Sequence, residues 1–369
     1  MSGAAKHLIG KRFPSKKGLH LRAITLLPGM PNSAKLENVP EPQDSYGSIL
    51  VRSLALGVCG TDREIVSGAY GEAPPDSERL VLGHESYGEV ISAPSGARFA
   101  AGDRIVGIVR RPDPVPCPAC AVGEWDMCRN GRYTERGIKG LDGFGAERFR
   151  IEPSYAIKVD PALGELAVLL EPASIVAKAW DHIERVGRRF HSWAPKRLLV
   201  TGAGPVGLLA ALMGKQRDYE VYVLDRAKDG PKPQLVRELG AMYLTGAIDD
   251  VKDLAPDVII ECTGAATLIA EVLGRSAPSG VVCLVGIGGH HEVSFDFGQF
   301  NRTMVLNNDV VFGSVNANRR HYELAGKSLA DADHTWLDRL ISRRVPLANW
   351  QEALENRPDD IKVVIDFRL

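Results

Sequence analysis

The chain has 369 residues, more than the roughly 250–300 at which a single hydrophobic core stops growing, so we expect two domains. Its 45 basic side chains nearly cancel 46 acidic ones, with 44% apolar and 25% charged residues overall. This balance excludes the basic field that favours nucleic acids and anionic membrane surfaces. The sequence contains no run of about 18 apolar residues, so no membrane span is predicted.

The first 20 residues are basic and lack the apolar stretch of a secretory signal. We expect a loose extension here, in preference to a transit peptide. Six cysteines in so long a chain do not form a disulfide scaffold, and their clustering favours metal binding in a reducing compartment. The expected location is therefore the cytoplasm.

Short strand patterns separated by Gly and Pro extend from Leu21 to about Glu152 and predict a mainly β domain. A helical stretch follows, from roughly Leu163 to Arg188. Beyond it, strands alternate with helices, as in "KRLLVTGAGPVGLLAALMGKQ" and "YEVYVLDR". This alternation predicts an α/β fold with a doubly wound parallel sheet whose ligands bind at the carboxyl ends of the strands.

The final strand pattern, in "DIKVVIDF", most simply rejoins the first domain and makes that domain discontinuous. We therefore predict a catalytic domain at 1–180, completed by 318–369. A dinucleotide-binding domain is predicted between these parts, at 181–317.

Potential zinc ligands appear early in the chain. Cys59 lies in "GVCGTD" and His84 in "GHESYGEV", with Glu85 beside it. Cysteine, histidine and carboxylate are all competent zinc ligands, and three of them with one open position are typical of a catalytic site. Thr61 is spaced from the cysteine for a hydroxyl relay or a nicotinamide contact, or else it caps a helix.

A second cysteine cluster lies in the stretch "VPCPACAVGEWDMC". Two residues lie between Cys117 and Cys120, and seven lie between Cys120 and Cys128. This spacing indicates a zinc lobe, but a closed structural zinc site requires four ligands.

A glycine motif between a predicted strand and helix indicates a dinucleotide site. Gly202, Gly204 and Gly207 form GxGxxG, with Pro205 and Val206 inside the motif. The first glycine permits a tight turn, the second lets the backbone approach a pyrophosphate, and the third allows close helix–strand packing. The helix N-terminus then faces the phosphates.

An acidic residue completes this motif. Asp225 ends the next strand, where a carboxylate binds the ribose hydroxyls and favours NAD. Arg226 stands just beyond it and could accommodate NADP instead. Thr263, Gly264 and Gly286 lie at the ends of later strands, where they either line the cofactor or form plain turns.

These motifs together resemble the zinc-dependent medium-chain dehydrogenase/reductase family, from about Leu21 onward. The resemblance is carried by "CGTD" at 59–62, "GHE" at 83–85 with Gly88, the cysteine lobe and the late GxGxxG. It implies a GroES-like, mainly β catalytic domain beside a Rossmann domain, with catalysis in the cleft between them. Zn²⁺, NAD or NADP, and a homo-oligomer (dimer or tetramer) are also implied.

Further motifs are similar to the glucose dehydrogenase branch of that family. Glu171, in "VLLEPASIVAKAW", replaces the cysteine that alcohol dehydrogenases supply, which implies a carboxylate zinc ligand. The stretches "TERGI" and "SVNAN" imply that Glu135 and Asn316, with Glu171, bind the sugar. Glu135 could instead be a surface acid, and Asn316 could line the cofactor cleft.

The implied reaction is oxidation of the anomeric carbon of an aldose, most simply glucose to gluconolactone, with hydride transfer to NAD(P). The first alternative is a polyol or secondary-alcohol dehydrogenase of the same family, which would use the same zinc and dinucleotide sites. A non-catalytic dinucleotide-binding protein and a zinc-ribbon nucleic-acid binder are remote alternatives.

The resemblance also exposes a gap in the lobe, because Pro114 stands where the family has its first cysteine. Asp113, one residue earlier, is the nearest candidate for the fourth ligand. Zinc held by the three thiolates and Asp113, zinc completed by water or another group, and an empty lobe all stay open.

Overall fold

The computed structural model describes residues 20–246, 248, 253–289 and 291–369. The extension predicted at the N-terminus lies almost entirely outside them. No helix in the described part is long and apolar enough to cross a bilayer. All six cysteines fall within the described ranges and are free.

The strands and helices follow the chain in this order. The strands are β1 (His20–Leu26), β2 (Lys35–Pro40), β3 (Ile49–Val58), β4 (Leu80–Val81), β5 (Glu85–Ser92), β6 (Arg104–Gly107), β7 (Arg110–Arg111), β8 (Thr134–Arg136), β9 (Gly140–Leu141), β10 (Arg148–Ile151), β11 (Ala156–Lys158), β12 (Arg197–Thr201), β13 (Glu220–Leu224), β14 (Met242–Leu244), β15 (Val258–Glu261), β16 (Val281–Leu284), β17 (Val310–Gly313), β18 (Ile341–Pro346) and β19 (Lys362–Asp366). The helices are α1 (Gly60–Val66), α2 (Pro118–Ala121), α3 (Leu170–Gly187), α4 (Pro205–Lys215), α5 (Pro231–Glu238), α6 (Ala266–Val272), α7 (Phe297–Asn307), α8 (Arg319–Ala330), α9 (His334–Leu340) and α10 (Trp350–Leu354).

The first part of the chain forms a mainly β unit, as predicted. Its largest sheet has the order β11-β6-β5-β3-β19-β18, with β10 also paired to β3, and β2-β1-β4 form a separate sheet. Strand β3 is long and mostly buried because it is paired on both edges. The two antiparallel pairs β3–β5 and β3–β19 bring the ends of three distant segments together.

The predicted return of the last strand is confirmed. Val363 of β19 is paired with Val58 of β3, so the C-terminal segment is built into the first sheet. Helix α3 runs through the predicted boundary at residues 180 and 181, and the division into 1–180 with 318–369 and 181–317 stays a proposal.

The middle of the chain forms the predicted parallel sheet. Its described strands have the order β14-β13-β12-β15-β16-β17, and every neighbouring pair is parallel. This is the doubly wound 3-2-1-4-5-6 order, in which the strand order reverses beside β12. The apolar strands β12 and β15 are buried on both faces, which explains their continuous hydrophobic sequences.

Helix α3 joins the two units. Its apolar face is buried against α8 and α4, and Trp180 on that face is fully buried beside Tyr219. These contacts tie the helix, whose first turn carries Glu171, to elements from both parts of the chain.

Candidate active site

The Cys59 and His84 side chains lie side by side. Cys59 directly follows β3 and His84 directly precedes β5, and the β3–β5 register pairs Gly57 with Glu85. This pairing brings the Cys59 Sγ to 3.2 Å from the His84 Nε2. The structure therefore unites the two residues that the sequence analysis predicted as zinc ligands.

Asp62 contacts the backbone of Cys59 and the side chain of His84. Its Oδ2 accepts a hydrogen bond of 2.9 Å from the Cys59 backbone N–H, and its Oδ1 lies 3.3 Å from the His84 Nδ1. Burial lowers the pKa of His84, but the neighbouring Cys59 and Asp62 outweigh it and raise that pKa well above its usual value. Asp62 thus fixes the imidazole so that its other nitrogen faces Cys59.

Thr61 is the second residue of α1 and is half-buried. Cys59 and Asp62 cap this helix, so Thr61 does not have the capping role that was one of its predicted alternatives. Among the described residues its hydroxyl has no hydrogen-bond partner, and its proposed relay role is compatible with that freedom.

Two buried carboxylates complete the cluster. Donor atoms of His84, Glu85 and Glu171 lie within 4.8 Å of one another, and Cys59, Asp62 and His84 form an overlapping group. Burial and the neighbouring Glu85 carboxylate together raise the pKa of Glu171 to about 7, although His84 and Lys362 act to lower it. The Lys362 Nζ donates to both Glu85 oxygens, at 2.7 and 2.6 Å, and neutralises that carboxylate.

The donor set fits a zinc ion. The Cys59 thiol contacts the His84 imidazole, and His84 also belongs to a second group with the carboxylates of Glu85 and Glu171, so His84 links three types of competent zinc donor. Glu85 is the less available carboxylate because Lys362 already holds it.

The three lobe cysteines also meet. Sulfur atoms of Cys117, Cys120 and Cys128 lie within 4.8 Å of one another. Backbone N–H groups of Arg129 and Cys120 lower the pKa of the Cys117 thiol, which favours the thiolate that metals bind. This chemistry suits a zinc ion.

Asp113 is not part of that cluster. Its Oδ1 accepts a hydrogen bond from the Val115 N–H, and its Oδ2 accepts from the Asn130 amide and Arg132 guanidinium. The carboxylate is therefore engaged by three other donors. A role as fourth ligand would require it to turn away from them.

We expect Asp113→Asn to retain the lobe zinc and Cys120→Ser to lose it. The asparagine can still accept from Val115, whereas serine removes one of the thiolates. The measurement is zinc per chain by atomic emission after gel filtration. Loss of zinc in Asp113→Asn, at a normal melting temperature, would instead make Asp113 the fourth ligand.

The glycine motif has the geometry of a phosphate-binding turn. Gly202 follows β12 with φ +90°, a conformation that favours glycine, and α4 begins directly after Gly204 at Pro205. Val206 lies in the first turn of that helix. A Cβ on Gly207 would overlap the Gly202 carbonyl oxygen, so this position requires glycine.

Asp225 lies at the end of β13 and supports the glycine turn. Its Oδ2 accepts a hydrogen bond of 2.6 Å from the Ala203 N–H, and its Oδ1 accepts one of 2.9 Å from the Ala227 N–H. A cavity of about 920 Å³ opens beside it, and its lining includes Gly202, Asp225, Arg226, Lys232 and Thr263. The cavity lies at the carboxyl ends of the strands, where an open α/β sheet binds its ligand.

The loops after β15 and β16 are held by a buried acid that the sequence analysis missed. Glu261 is fully buried, and its carboxylate accepts hydrogen bonds from the backbone N–H groups of Thr263 and Gly264. Gly286 packs against Gly264 so closely that a Cβ would collide with it. In the sequence, this buried role was indicated only by a single acidic residue within the apolar stretch "VIIECTG".

Two of the three predicted sugar-binding residues, Glu135 and Asn316, contact each other between the two units. Glu135 belongs to β8 of the first unit, and Asn316 follows β17 of the parallel sheet. The Asn316 Nδ2 donates a 2.6 Å hydrogen bond to the Glu135 Oε1, and both residues are buried. Glu135 is therefore not the solvated surface acid of the alternative interpretation.

Fold and site together define a zinc-dependent dehydrogenase of the medium-chain class, with a GroES-like unit and a Rossmann unit. A family model described as "Alcohol dehydrogenase GroES-like domain" matches residues 45–161, and one described as "Glucose dehydrogenase C-terminus" matches residues 164–367. The chain belongs to the glucose dehydrogenase family.

Several relatives cover almost the whole chain. The glucose 1-dehydrogenase of Thermoproteus tenax is 40% identical over 354 residues, spanning 94% of this chain and 100% of its own. Glucose 1-dehydrogenase 2 of Vulcanisaeta moutnovskia is 38% identical over 352 residues, spanning 94% and 99%. The crystal structure of Haloferax mediterranei glucose dehydrogenase with NADP, Zn and gluconolactone has a TM-score of 0.87 at 32% identity, covering 94% of this chain and 99% of that chain.

Proposed function

We propose that the protein oxidises the anomeric carbon of an aldose, most simply D-glucose, to its lactone and transfers the hydride to NAD(P). The observation that carries the proposal is the buried contact of Glu135 with Asn316, which joins the two units of a chain that also holds the Cys59–His84 pair and its neighbouring carboxylates. A sugar offers several hydroxyls that need fixed acceptors and donors, which this pair supplies. A lactone-forming dehydrogenase among the similar proteins supports the same substrate class.

We propose Cys59, His84 and Glu171 as the zinc ligands, and Glu85, whose carboxylate is held by Lys362, is the alternative carboxylate ligand. Zinc bound there acts as a Lewis acid that lowers the pKa of the substrate hydroxyl. Asp62 holds the His84 ring in its ligating orientation. The Thr61 hydroxyl, which follows Cys59, can receive the substrate proton and pass it toward solvent.

The Rossmann unit positions the other reactant. The turn at Gly202, Gly204 and Gly207 binds the pyrophosphate, and Thr263, Gly264 and Gly286 border the nicotinamide half. Hydride then leaves the anomeric carbon for the nicotinamide while the hydroxyl proton is released. The products are a lactone, the reduced dinucleotide and one proton.

We propose NAD as the preferred cofactor because the carboxylate of Asp225 repels a 2′-phosphate. Asp225→Asn should raise the KM for NAD by about 10- to 100-fold, since hydrogen bonds to charged groups are worth about 1.5–3 kcal/mol. The KM for NADP should fall. Asp229→Asn, an exposed acid lining the same cavity, is the control, and equal shifts in both variants would contradict the assignment.

We propose a homo-oligomer formed through the parallel sheet. Strand β17 ends the described strand order, and an edge strand readily pairs with a second copy. On the adjacent helix α7, Phe297, Val305 and Leu306 are each about two-thirds exposed. Light scattering should give a dimer or tetramer mass, and a monomer at micromolar concentration would contradict this proposal.

We also propose a cytoplasmic location, on the basis of the six free cysteines.

The test of the proposed function is a substrate panel of aldoses, polyols and secondary alcohols, each with NAD and NADP. Aldoses should give the highest kcat/KM, and the product should react with hydroxylamine as a lactone does. Higher kcat/KM for polyols would favour the alternative dehydrogenase of the same family.

A further inference from the structure

The carboxylate of Glu135 is fixed through only one of its oxygens. Its Oε1 accepts hydrogen bonds from the Arg110 Nε at 3.1 Å, the Arg110 Nη2 at 3.0 Å and the Asn316 Nδ2 at 2.6 Å. Among the described residues Oε2 has no partner, and it is absent from the fully enclosed atoms that lack one, so it keeps contact with solvent. One oxygen is therefore anchored and the other remains available to a ligand.

Arg110 is itself immobilised. The residue is 4% exposed, and its guanidinium lies 3.7 Å from the centre of the Tyr133 ring. Its Nη1 donates a 3.1 Å hydrogen bond to the backbone carbonyl of Asp126, in the cysteine lobe. The orientation of Glu135 thus depends on an arginine that is locked by stacking and by the lobe.

Asp126 also anchors the segment that carries Asn316. Its Oδ2 lies 2.9 Å from the Lys178 Nζ, which also donates to the Val315 carbonyl, and its Oδ1 accepts from the Asn318 Nδ2 at 2.8 Å. Val315 and Asn318 bracket Asn316, whose φ of +63° is uncommon for a residue other than glycine. The buried ion pair holds this strained segment in place.

We infer that Arg110 and Asp126 are positioning residues for substrate: they fix Glu135 and Asn316, from the two units, in one mutual orientation. The inference rests on the proposed function, in which Glu135 and Asn316 bind the sugar. It also gives the cysteine lobe a part in substrate binding, because Asp126 lies between Cys120 and Cys128. A buried network of charged and polar contacts of this kind holds ligand-binding groups within the small tolerance that recognition requires.

Arg110→Lys is the variant that tests this inference. Lysine keeps the positive charge but cannot grip the carboxylate oxygen with two N–H groups. We expect the KM for the aldose to rise about 10- to 100-fold, the factor expected when hydrogen bonds to a charged group are lost. The change in kcat should be smaller, the Kd for the dinucleotide should stay near the wild-type value, and any fall in melting temperature should match that of the Arg111→Lys control.

Arg111→Lys is the matched control. Arg111 is buried like its neighbour, lies 3.9 Å from the centre of the Tyr155 ring and pairs with Glu152, but it does not contact Glu135 or Asn316. Its replacement removes an equivalent buried arginine from the same strand. The KM for the aldose should stay within about twofold of the wild-type value.

Deoxy-aldoses lacking one ring hydroxyl at a time separate positioning from general damage. For the sugar that lacks the hydroxyl bound by the Glu135 Oε2, wild type and Arg110→Lys should have similar KM values. For the other sugars, Arg110→Lys should keep its full penalty. A merely structural role would impose the same factor on every sugar.

Equal KM effects in the Arg110 and Arg111 variants, or one constant factor across the deoxy-aldoses, would overturn the inference. If Arg110→Lys does not fold, the double variant Asp126→Asn with Lys178→Met tests the inference instead. It removes one negative and one positive charge and releases the segment around Asn316. Its KM values for the aldose and the deoxy-aldoses are compared with those of the wild type in the same way. A wild-type protein that oxidises no aldose refutes the proposed function and this inference with it. If the inference alone is wrong, the wild type will oxidise aldoses and the variants will have the same KM as the wild type.

Discussion

Cys59→Ser and Cys59→Ala should lower kcat by about 10³-fold or more while leaving the Kd for the dinucleotide nearly unchanged. Cys59 is the sulfur donor of the proposed zinc site, and loss of the Lewis acid removes several kcal/mol of stabilisation from the developing alkoxide, at about 1.4 kcal/mol per tenfold in rate. The Rossmann unit supplies dinucleotide binding from other segments of the chain, so that function should persist. Stopped-flow turnover and nucleotide fluorescence titration measure the two quantities.

Cys283→Ala is the control for loss of a buried cysteine. Cys283 is fully buried on β16, within the hydrophobic core of the parallel sheet and outside the donor cluster. It should retain both turnover and zinc. If the Cys59 variants lost dinucleotide binding together with activity, global damage would explain the result, and the assignment of Cys59 would lose its support.

Gly207→Ala should damage the nucleotide turn itself. An alanine Cβ would overlap the carbonyl oxygen of Gly202, so β12 and α4 must separate. Overpacking of this kind costs about 3 kcal/mol, and we expect the melting temperature to fall by about 6–12 °C. Dinucleotide binding should weaken by about tenfold or more, equal to about 1.4 kcal/mol. Differential scanning fluorimetry and titration report these two effects.

Gly204→Ala is the matched variant within the same motif. A Cβ at Gly204 meets no atom within 4 Å, and its φ of −77° suits any residue. The folded protein should keep its melting temperature but bind the dinucleotide less tightly, because the pyrophosphate must approach this backbone. A Gly204→Ala protein with wild-type affinity would contradict the placement of the pyrophosphate.

Local motifs made the fold predictable and identified the candidate metal donors. Cys59 and His84 each lie in a short glycine-containing sequence, and the GxGxxG turn is followed by its strand and acid within one contiguous stretch. Such patterns encode their own backbone geometry. The antiparallel pairing that unites Cys59 with His84 was not visible in the sequence, but the chemistry of the two residues anticipated it.

The supporting contacts could not be predicted because they join residues far apart in the chain. Lys362 and Glu85 are 277 residues apart, and Asn318 and Asp126 are 192 apart. Each is an ordinary charged or polar residue in the sequence. The local signal for Lys362 was a charged residue between Ile361 and the apolar residues 363–365, a pattern that indicates a buried partner without identifying it.

Asp113 illustrates a different limit of prediction from sequence. Its position near the missing corner of the lobe suggested a ligand, yet the structure directs its carboxylate to Val115, Asn130 and Arg132. A carboxylate has several competing uses, and proximity in sequence does not choose among them. Zinc counting on the Asp113 and Cys120 variants decides this point.

The most direct test of the central claim is removal and return of the metal. Protein dialysed against a strong chelator should lose aldose oxidation while still binding dinucleotide, and activity should return in proportion to the zinc added back. The Cys59→Ser protein, treated in the same way, should recover nothing. Full activity in demonstrably zinc-free protein would contradict the account.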